Sequence, residues 1–588
     1  MKRMISLTLS VLLIFALTAC GSQSGGATQD TGAAAAAGDT ETAPDSSPPT
    51  DGAADEAPAD QGGSTDDIYE LTIIEPNYSG NNELRLVDEY IKDKFGIVIN
   101  HVPYQGDAQE LMMIQLASKD YGEVQRMEYD RIYKAYYSAG VLQSLEPYLD
   151  MLPDFQRVFE EAIPYWRMGA DGDLCRWDVD VPLHGEMDIE ACDSLIRTDV
   201  LEYYGWPTLV SEDDWVAFLK QALIDFPETD GMPSLGMVVP FAESWGLSSI
   251  ATINYEKGDT FTELSNVDGG VLFNMKTDKF VDYFKEPSVK ECYAFFNRLY
   301  REGILDVESL TDDFPAVQNK LNSGSAISAY YIMWAGGEAN AALTKAGKEH
   351  MSYINMPIQS NTQVAEGQKR AIRVEDTRIF NAWGITDNCR YPERIVELIN
   401  WACTDEGQII LSCGLEGQQW IRNAEGKREY TEDGIKSIMD PDYNRTVVGR
   451  RAIPFAPHFN LLLSDGQFPD PMSHSEVADK YLTPRVKEAY DKMGWSSSKS
   501  WWVENGFFAA TGLPGVISID PADPLTDVSN KLFELRVKVT ANLILAETEQ
   551  EFEDIYAAAV IEHDKLNPQA VVDKYNEIYR IEKAKLTN

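Results

Sequence analysis

Carboxylates, histidines and one serine–lysine spacing are the features of this chain whose types could make or break bonds. With 95 Asp and Glu in 588 residues, paired acids at glycosidase spacing carry no weight by themselves. There is no Gly-x-Ser-x-Gly elbow, no His-Glu-x-x-His helix and no phosphate-binding Gly-Lys-Ser/Thr loop. Ser496-Ser497-Ser498-Lys499 fits Ser-x-x-Lys inside a serine run, without companion motifs. The six histidines (His101, His184, His350, His458, His474 and His563) are scattered, which argues against a zinc site. Asp225-Phe226-Pro227-Glu228-Thr229-Asp230-Gly231 is too degenerate to define a calcium loop. The expectation is a chain without catalytic residues, cofactor or metal. Its 12 Trp and 28 Tyr leave room for recognition instead. Hydrogen-bonding solutes such as sugars need planar apolar surface for their C–H faces and a few placed charged or amide groups for their hydroxyls.

The amino terminus sets the compartment. Lys2 and Arg3 precede a mostly apolar stretch, 4–17, which is shorter than the ~20 residues of a membrane span. Leu17-Thr18-Ala19-Cys20-Gly21-Ser22 resembles the bacterial lipobox. The resemblance implies removal of 1–19 as a signal peptide and diacylation of Cys20, with chains such as palmitate, at the new amino terminus. An ordinary signal peptide with an incidental cysteine is the other reading. No later stretch approaches a second span, so an anchored rather than a spanning protein is expected. From 21 to 67 the chain is built only of Ala, Gly, Ser, Thr, Pro, Gln, Asp and Glu. Such a segment cannot bury enough apolar surface to offset its ordering entropy, so 20–67 reads as a lipid-anchored disordered linker.

The body, 68–588, is longer than one core normally serves, and at least two lobes are expected. The formal charge of −45 becomes −47 once Lys2 and Arg3 are removed. That balance argues against nucleic acid and against lying flat on an anionic membrane. Six cysteines follow Cys20: Cys175, Cys192, Cys292, Cys389, Cys403 and Cys413. Outside the cell an even number permits disulfides without establishing them. On one helix Cys403 and Cys413 would stand roughly 15 Å apart, beyond the ~7 Å that a disulfide tolerates. Mostly buried thiols are expected.

Residues 69–75 alternate as a strand, and 83–95 carry Leu84, Val87, Tyr90, Ile91 and Phe95 at helical spacing, closed by Gly96. A second strand (97–101), a second helix (107–119) and a third strand (123–129) follow. This repetition predicts a mostly parallel sheet flanked by helices. Ligands of such sheets sit at the carboxyl ends of the strands, where Glu128, Tyr129 and Asp130 fall. Further along, 393–411 reads as one strong helix and 548–586 as two, divided at Asn567-Pro568.

Several stretches in order are similar to the family 1 extracellular solute-binding proteins, the lipoprotein receptors of bacterial ABC importers. They are Tyr136-Tyr-Ser-Ala-Gly-Val-Leu-Gln-Ser-Leu-Glu-Pro-Tyr-Leu149, then Leu195 to Pro207 followed by Trp215, then Leu299 to Leu305 with Lys320 to Ser328. Most specific is Trp383-Gly-Ile-Thr386 running through Pro392 to Gly407 and on to Gly414-Leu-Glu-Gly417. The resemblance implies an α/β, two-lobed, periplasmic-binding-protein-like (type II) fold with a ligand cleft between lobes. Its lobes are assigned as 68–185 and 381–450 for the first, and 186–380 and 451–588 for the second, the last with the C-terminal helices. The implied protein sits on the outer face of the cytoplasmic membrane, acts as a monomer, and passes a polar solute, a sugar or oligosaccharide, to ABC permease subunits.

The ligand-binding candidates are Tyr129 and Asp130 in the first lobe, Trp334 at a position resembling a stacking site, and Trp383 where the chain crosses back. Trp177, Asp193 and Trp245 join them, as does Arg378 with its neighbours Arg373 and Asp376. Each has a plain structural alternative: a strand cap, hinge packing or a salt-bridged loop. Trp501-Trp502 either covers the cleft or packs, and Trp401 belongs to a core helix. The rival functions are a secreted lipid-anchored glycoside hydrolase and a surface adhesion protein. Cys20→Ser is expected to release the protein from the membrane fraction or to block its processing. Fractionation showing unchanged retention and normal processing would remove the lipobox reading.

Overall fold

β1 (Tyr69–Pro76) alternates buried Tyr69, Leu71 and Ile73 with exposed Glu70 and Thr72, the period of a strand with one covered face. The computed structural model describes residues 68–76, 83–104, 108–179, 189–190, 194–250, 260–261, 269–374, 381–459, 461–473, 482–496, 498–510 and 512–586. All belong to the unit Gly63–Asn588; the leader, the lipobox and the linker lie outside them. α1 (Leu86–Phe95) buries Val87 and Ile91, and Gly96 ends it at φ 63°, its N–H donating to the Lys92 carbonyl. β2 (Ile97–Tyr104) lies parallel to β1, with Tyr69 opposite Ile97. α2 (Ala108–Ser118), β3 (Val124–Glu128), α3 (Tyr129–Ser138) and the short β4 (Trp177–Asp178) complete this part.

The chain then passes through β5 (Ile189–Glu190) to β6 (Ser194–Arg197). α4 (Glu212–Asp225) starts at Ser211, whose hydroxyl accepts from the Asp214 N–H while Asp214 reaches back to the Ser211 N–H. β7 (Leu235–Val238), α5 (Ser244–Leu247), α6 (Phe314–Ser323), β8 (Ala326–Ala329), α7 (Ala335–Lys345) and β9 (Tyr353–Met356) follow. Their strands make one sheet in the order β9-β6-β8-β7. In it β8 runs parallel to β7, and β6 runs antiparallel to β8 and β9.

β10 (Arg370–Val374) leads to β11 (Asn381–Ile385), which returns to the first part and pairs antiparallel with both β3 and β4. The parallel sheet read from the strand-helix repetition therefore holds for β1 and β2 and not for β3. A strand that arrives from the distal half of the chain is not bound to the direction of its sequence neighbours. The stretch read as one helix is two, α8 (Pro392–Ala402) and α9 (Asp405–Cys413), because the Thr404 hydroxyl caps the second by accepting from the Gly407 N–H at 3.1 Å. Cys403 and Cys413 thus belong to separate turns of structure, and like Cys175, Cys292 and Cys389 they are buried thiols. β12 (Gly506–Ala510), α10 (Leu525–Ile544), α11 (Glu549–Lys565) and α12 (Pro568–Leu586) close the chain, the last break falling at Asn567, whose φ is 59°.

Two large buried clusters result. One gathers Leu71, Ile73, Trp177, Trp383, Ile395 and Phe455; the other gathers Leu195, Trp215, Met237, Phe296 and Ile327. Residues 451–588, expected with the second lobe, divide between them. Ile453, Leu513, Ile517 and Tyr575 pack in the first cluster, while Tyr490, Leu543 and Phe552 pack in the second. α10 itself contributes Leu532 to one and Val539 to the other. Phe273 and Phe280, from within 186–380, also join the first cluster. Helical and strand periodicity tells which face is buried, not which core receives it.

Trp215 anchors the second cluster: it is fully buried, and its indole N–H donates to the Pro357 carbonyl at 3.0 Å. Trp215→Ala is expected to lower stability by about 3–5 kcal/mol. Chemical denaturation with an unchanged midpoint would show that this core does not depend on it.

Candidate functional site

β7 and β8 are parallel neighbours, so the segments that follow them emerge side by side at one sheet edge. The Tyr330 N–H donates to the Val238 carbonyl at 3.1 Å and carries the pairing past the strand ends. Beyond this point β7 leads to α5, which carries Trp245, and β8 leads to Tyr331 and Trp334 just ahead of α7. Gly246 allows α5 to lie close, since a Cβ there would stand 1.8 Å from the Pro240 carbonyl oxygen. Phe314, at the start of α6, is held by its N–H donating to the Glu243 carboxylate at 3.0 Å. Four rings meet as a result. Trp245 lies 5.6 Å from Trp334, 5.8 Å from Phe314 and 6.4 Å from Tyr331 between centroids, and Tyr331 packs edge-on to Trp334 at 5.4 Å. Trp334 is 47% exposed while Tyr331 is buried beneath it. The arrangement is an aromatic platform at the carboxyl ends of parallel strands, the edge at which α/β sheets receive ligands.

Tyr331 is held at φ 74°, and the Ile332 N–H donates to the Tyr330 carbonyl across it at 2.9 Å. That is the rare, strained form of the γ-turn. A bulky residue in this region costs about 1–3 kcal/mol and persists only where its surroundings overdetermine it. Here the ring contacts with Trp245 and Trp334 do so. The turn swings the chain from β8 into α7 and leaves Trp334 at the rim.

The other predicted residues are placed differently. Trp177 is fully buried, its N–H donating to the Phe455 carbonyl at 2.7 Å, and Trp383 faces it in the strand register, also buried and 6.1 Å from the Phe455 ring. Both rings are buried in the first core: β11 lies between β3 and β4, and the cross-strand pair of indoles packs on the covered face of that sheet. Asp130 is withdrawn from any cleft at 1% exposure, paired with Arg176 at 2.8 Å and Lys134 at 2.7 Å. Burial by itself would raise its pKa, and the charges of Lys134 and Arg176 with their hydrogen bonds outweigh that and hold it below the ordinary value. Tyr129 opens α3 at the end of β3. Arg373 lies in β10, and Asp193, Asp376 and Arg378 lie outside the described residues. Trp401 is buried as expected, its N–H donating to Glu406 at 2.9 Å. Trp502 is fully buried and meets Trp501 edge-on at 4.5 Å.

Phe314 and Tyr331 escaped the sequence reading. An aromatic pair, Tyr330-Tyr331, directly after a strand was the available signal for the second. Among the described residues the carboxylates that converge are Asp306, Glu308 and Asp312, and Lys320 Nζ reaches all three at 2.6, 2.9 and 2.6 Å. A lysine so placed already supplies the positive charge. In the 225–231 loop Asp225 accepts from the Tyr204 hydroxyl at 2.6 Å and Asp230 pairs with Lys348, so these acids turn to different partners.

No protein-family model matches the chain, and no curated protein matches it in sequence. Solved structures do. The alginate-binding protein AlgQ2 superposes with a TM-score of 0.59 at 13% identity over 88% of this chain and 98% of its own. The fold is that of a two-lobed solute-binding protein. A solute-binding protein from Bifidobacterium longum infantis, described as binding HMO and associated with an ABC transporter, gives 0.58 at 14% over 88% and 99%. The substrate-binding protein FusA from S. pneumoniae, in complex with fructo-nystose, gives 0.56 at 14% over 88% and 100%. These likenesses carry the solute-binding fold to this chain across its α/β body, and the named ligands belong to those proteins.

Tyr331→Ala keeps the left-handed backbone and removes the ring contacts that offset its strain, whereas Tyr331→Gly removes both the contacts and the strain. The glycine variant is therefore expected to be the more stable by about 1–2 kcal/mol. Equal unfolding free energies would show that the turn carries no strain.

Proposed function

We propose that the chain is a lipid-anchored extracellular receptor that captures a polar solute, a sugar or oligosaccharide, by closing two lobes on it, and delivers it to an ABC permease. The observation that carries this reading is the half-exposed Trp334 on its aromatic platform at the strand ends. A supported, partly exposed indole face suits the C–H face of a sugar ring. The names of the similar structures, which bind alginate, HMO and fructo-nystose, point to the same class of ligand. The Cys20 lipobox supports the anchor and an aromatic-free linker supports the tether.

We assign the cluster around β1, β2, β3, β4 and β11 to one lobe and the cluster around β6, β7, β8 and β9 to the other. The three strands β5, β10 and β12, which lie between them along the chain and pair with one another, form the hinge. A ligand that touches both lobes binds the closed state better and shifts the population toward it.

Titration calorimetry against a panel of neutral oligosaccharides and oligouronates is the test, with each mixture analysed for products afterwards. A binding partner in the panel is expected, and it should raise the melting temperature. Trp334→Ala should weaken its binding by about 1–3 kcal/mol and leave the fold intact, because the ring is already half exposed. Release of cleaved sugar would place the protein among glycoside hydrolases, and full affinity in the variant would show that the platform is not the site.

A further inference from the structure

A buried ionic knot lies where the crossing strands enter the first cluster, and this inference rests on the reading of those strands as a hinge. Asp130 Oδ1 accepts from Arg176 Nη1 at 2.8 Å, and Oδ2 accepts from the Ser518 hydroxyl at 2.6 Å and pairs with Lys134 Nζ at 2.7 Å. Lys134 Nζ also donates to the Ser518 carbonyl at 2.8 Å and lies 3.0 Å from its hydroxyl. Arg176 is fully buried, donates to the carbonyls of Trp166 at 3.1 Å and Met168 at 3.0 Å, and stacks 3.8 Å from the centre of the Tyr133 ring.

The members of the knot stand at the roots of three different crossings. Arg176 immediately precedes β4, the last strand before the chain leaves through β5. Asp130 and Lys134 lie in α3, directly after β3, and β3 is paired with β11, the strand that β10 becomes. Ser518 follows β12 after one short turn of helix. Sequence positions 130, 176 and 518 have no local reason to meet, and a buried charge is retained only where its partners hold it.

We propose that this knot is the fixed end of the hinge, with Asp130 a positioning residue that ties the roots of all three crossings together so that closure bends the strands beyond it. A residue of this kind acts on the motion without touching the ligand. Replacing the carboxylate by an amide removes the negative charge that Arg176 and Lys134 share, and the roots should loosen before the rest of the lobe does.

Native-state hydrogen exchange of the ligand-free full chain tests the idea, comparing wild type, Asp130→Asn and the milder Ser518→Ala. In both variants amides of β5, β10 and β12 should exchange at least about tenfold faster, while those of β1 and β2 keep their wild-type rates. Small-angle scattering of the same samples should show a broader, more open population. Acceleration shared equally by β1 and β2 would mean that the knot merely stabilises the lobe, and unchanged exchange in Ser518→Ala would remove it from the hinge; either result overturns the proposal. Neither depends on whether any sugar binds, so loss of the receptor reading would be seen separately.

Discussion

A chain that leaves one core for another must satisfy its backbone N–H and C=O groups where the strands of neither core can reach them. The passes at 189–190, 370–374 and 506–510 meet this requirement by hydrogen-bonding to one another. Their directions agree with the path of the chain. β10 and β12 both run from the second cluster toward the first and are parallel, and β5 runs the other way and is antiparallel to β10. The architecture depends on this small sheet, because it lets the two clusters keep separate sheets with separate cores and still share one chain.

The size of that sheet also decides what it can do. β5 has two residues and β10 and β12 have five each, so few hydrogen bonds resist a change of twist, and twist is the soft coordinate of a narrow sheet. The ends cannot be equally soft, or the passes would drift. On the second-cluster side β9, the last strand before β10, is paired with β6 in a four-stranded sheet, and Trp501 and Trp502 pack together ahead of β12. On the first-cluster side Arg176 and Ser518 are clamped to one carboxylate. Rigid ends with a flexible middle are what a bending joint requires.

Much of this was legible in the sequence and some of it was not, for physical reasons. Gly96 after an amphipathic run announced a left-handed helix end, and its φ is 63°. The two-lobe, α/β architecture followed from length and order of motifs. The identity of the site residues did not. Trp383 looked like a cleft residue because it sits beside a crossing, yet β11 lies between β3 and β4, and the rings of Trp383 and of Trp177 opposite it go into packing. Asp130 looked available because it follows a strand end, and only the fold could bring Arg176 and Ser518 to it from 46 and 388 residues away. Trp245 and Trp334, 89 positions apart, meet because their strands are parallel neighbours, a fact of pairing that periodicity does not encode.

The platform in turn constrains how closure can work. A solute resting only on Trp334 and Trp245 touches one lobe, gains the same free energy whether the lobes are open or closed, and shifts nothing however well it binds. Closure therefore demands a contact from the other lobe or from the crossing strands. Asp130, just past the end of β3, does not supply it, because its carboxylate is withdrawn into the buried cluster.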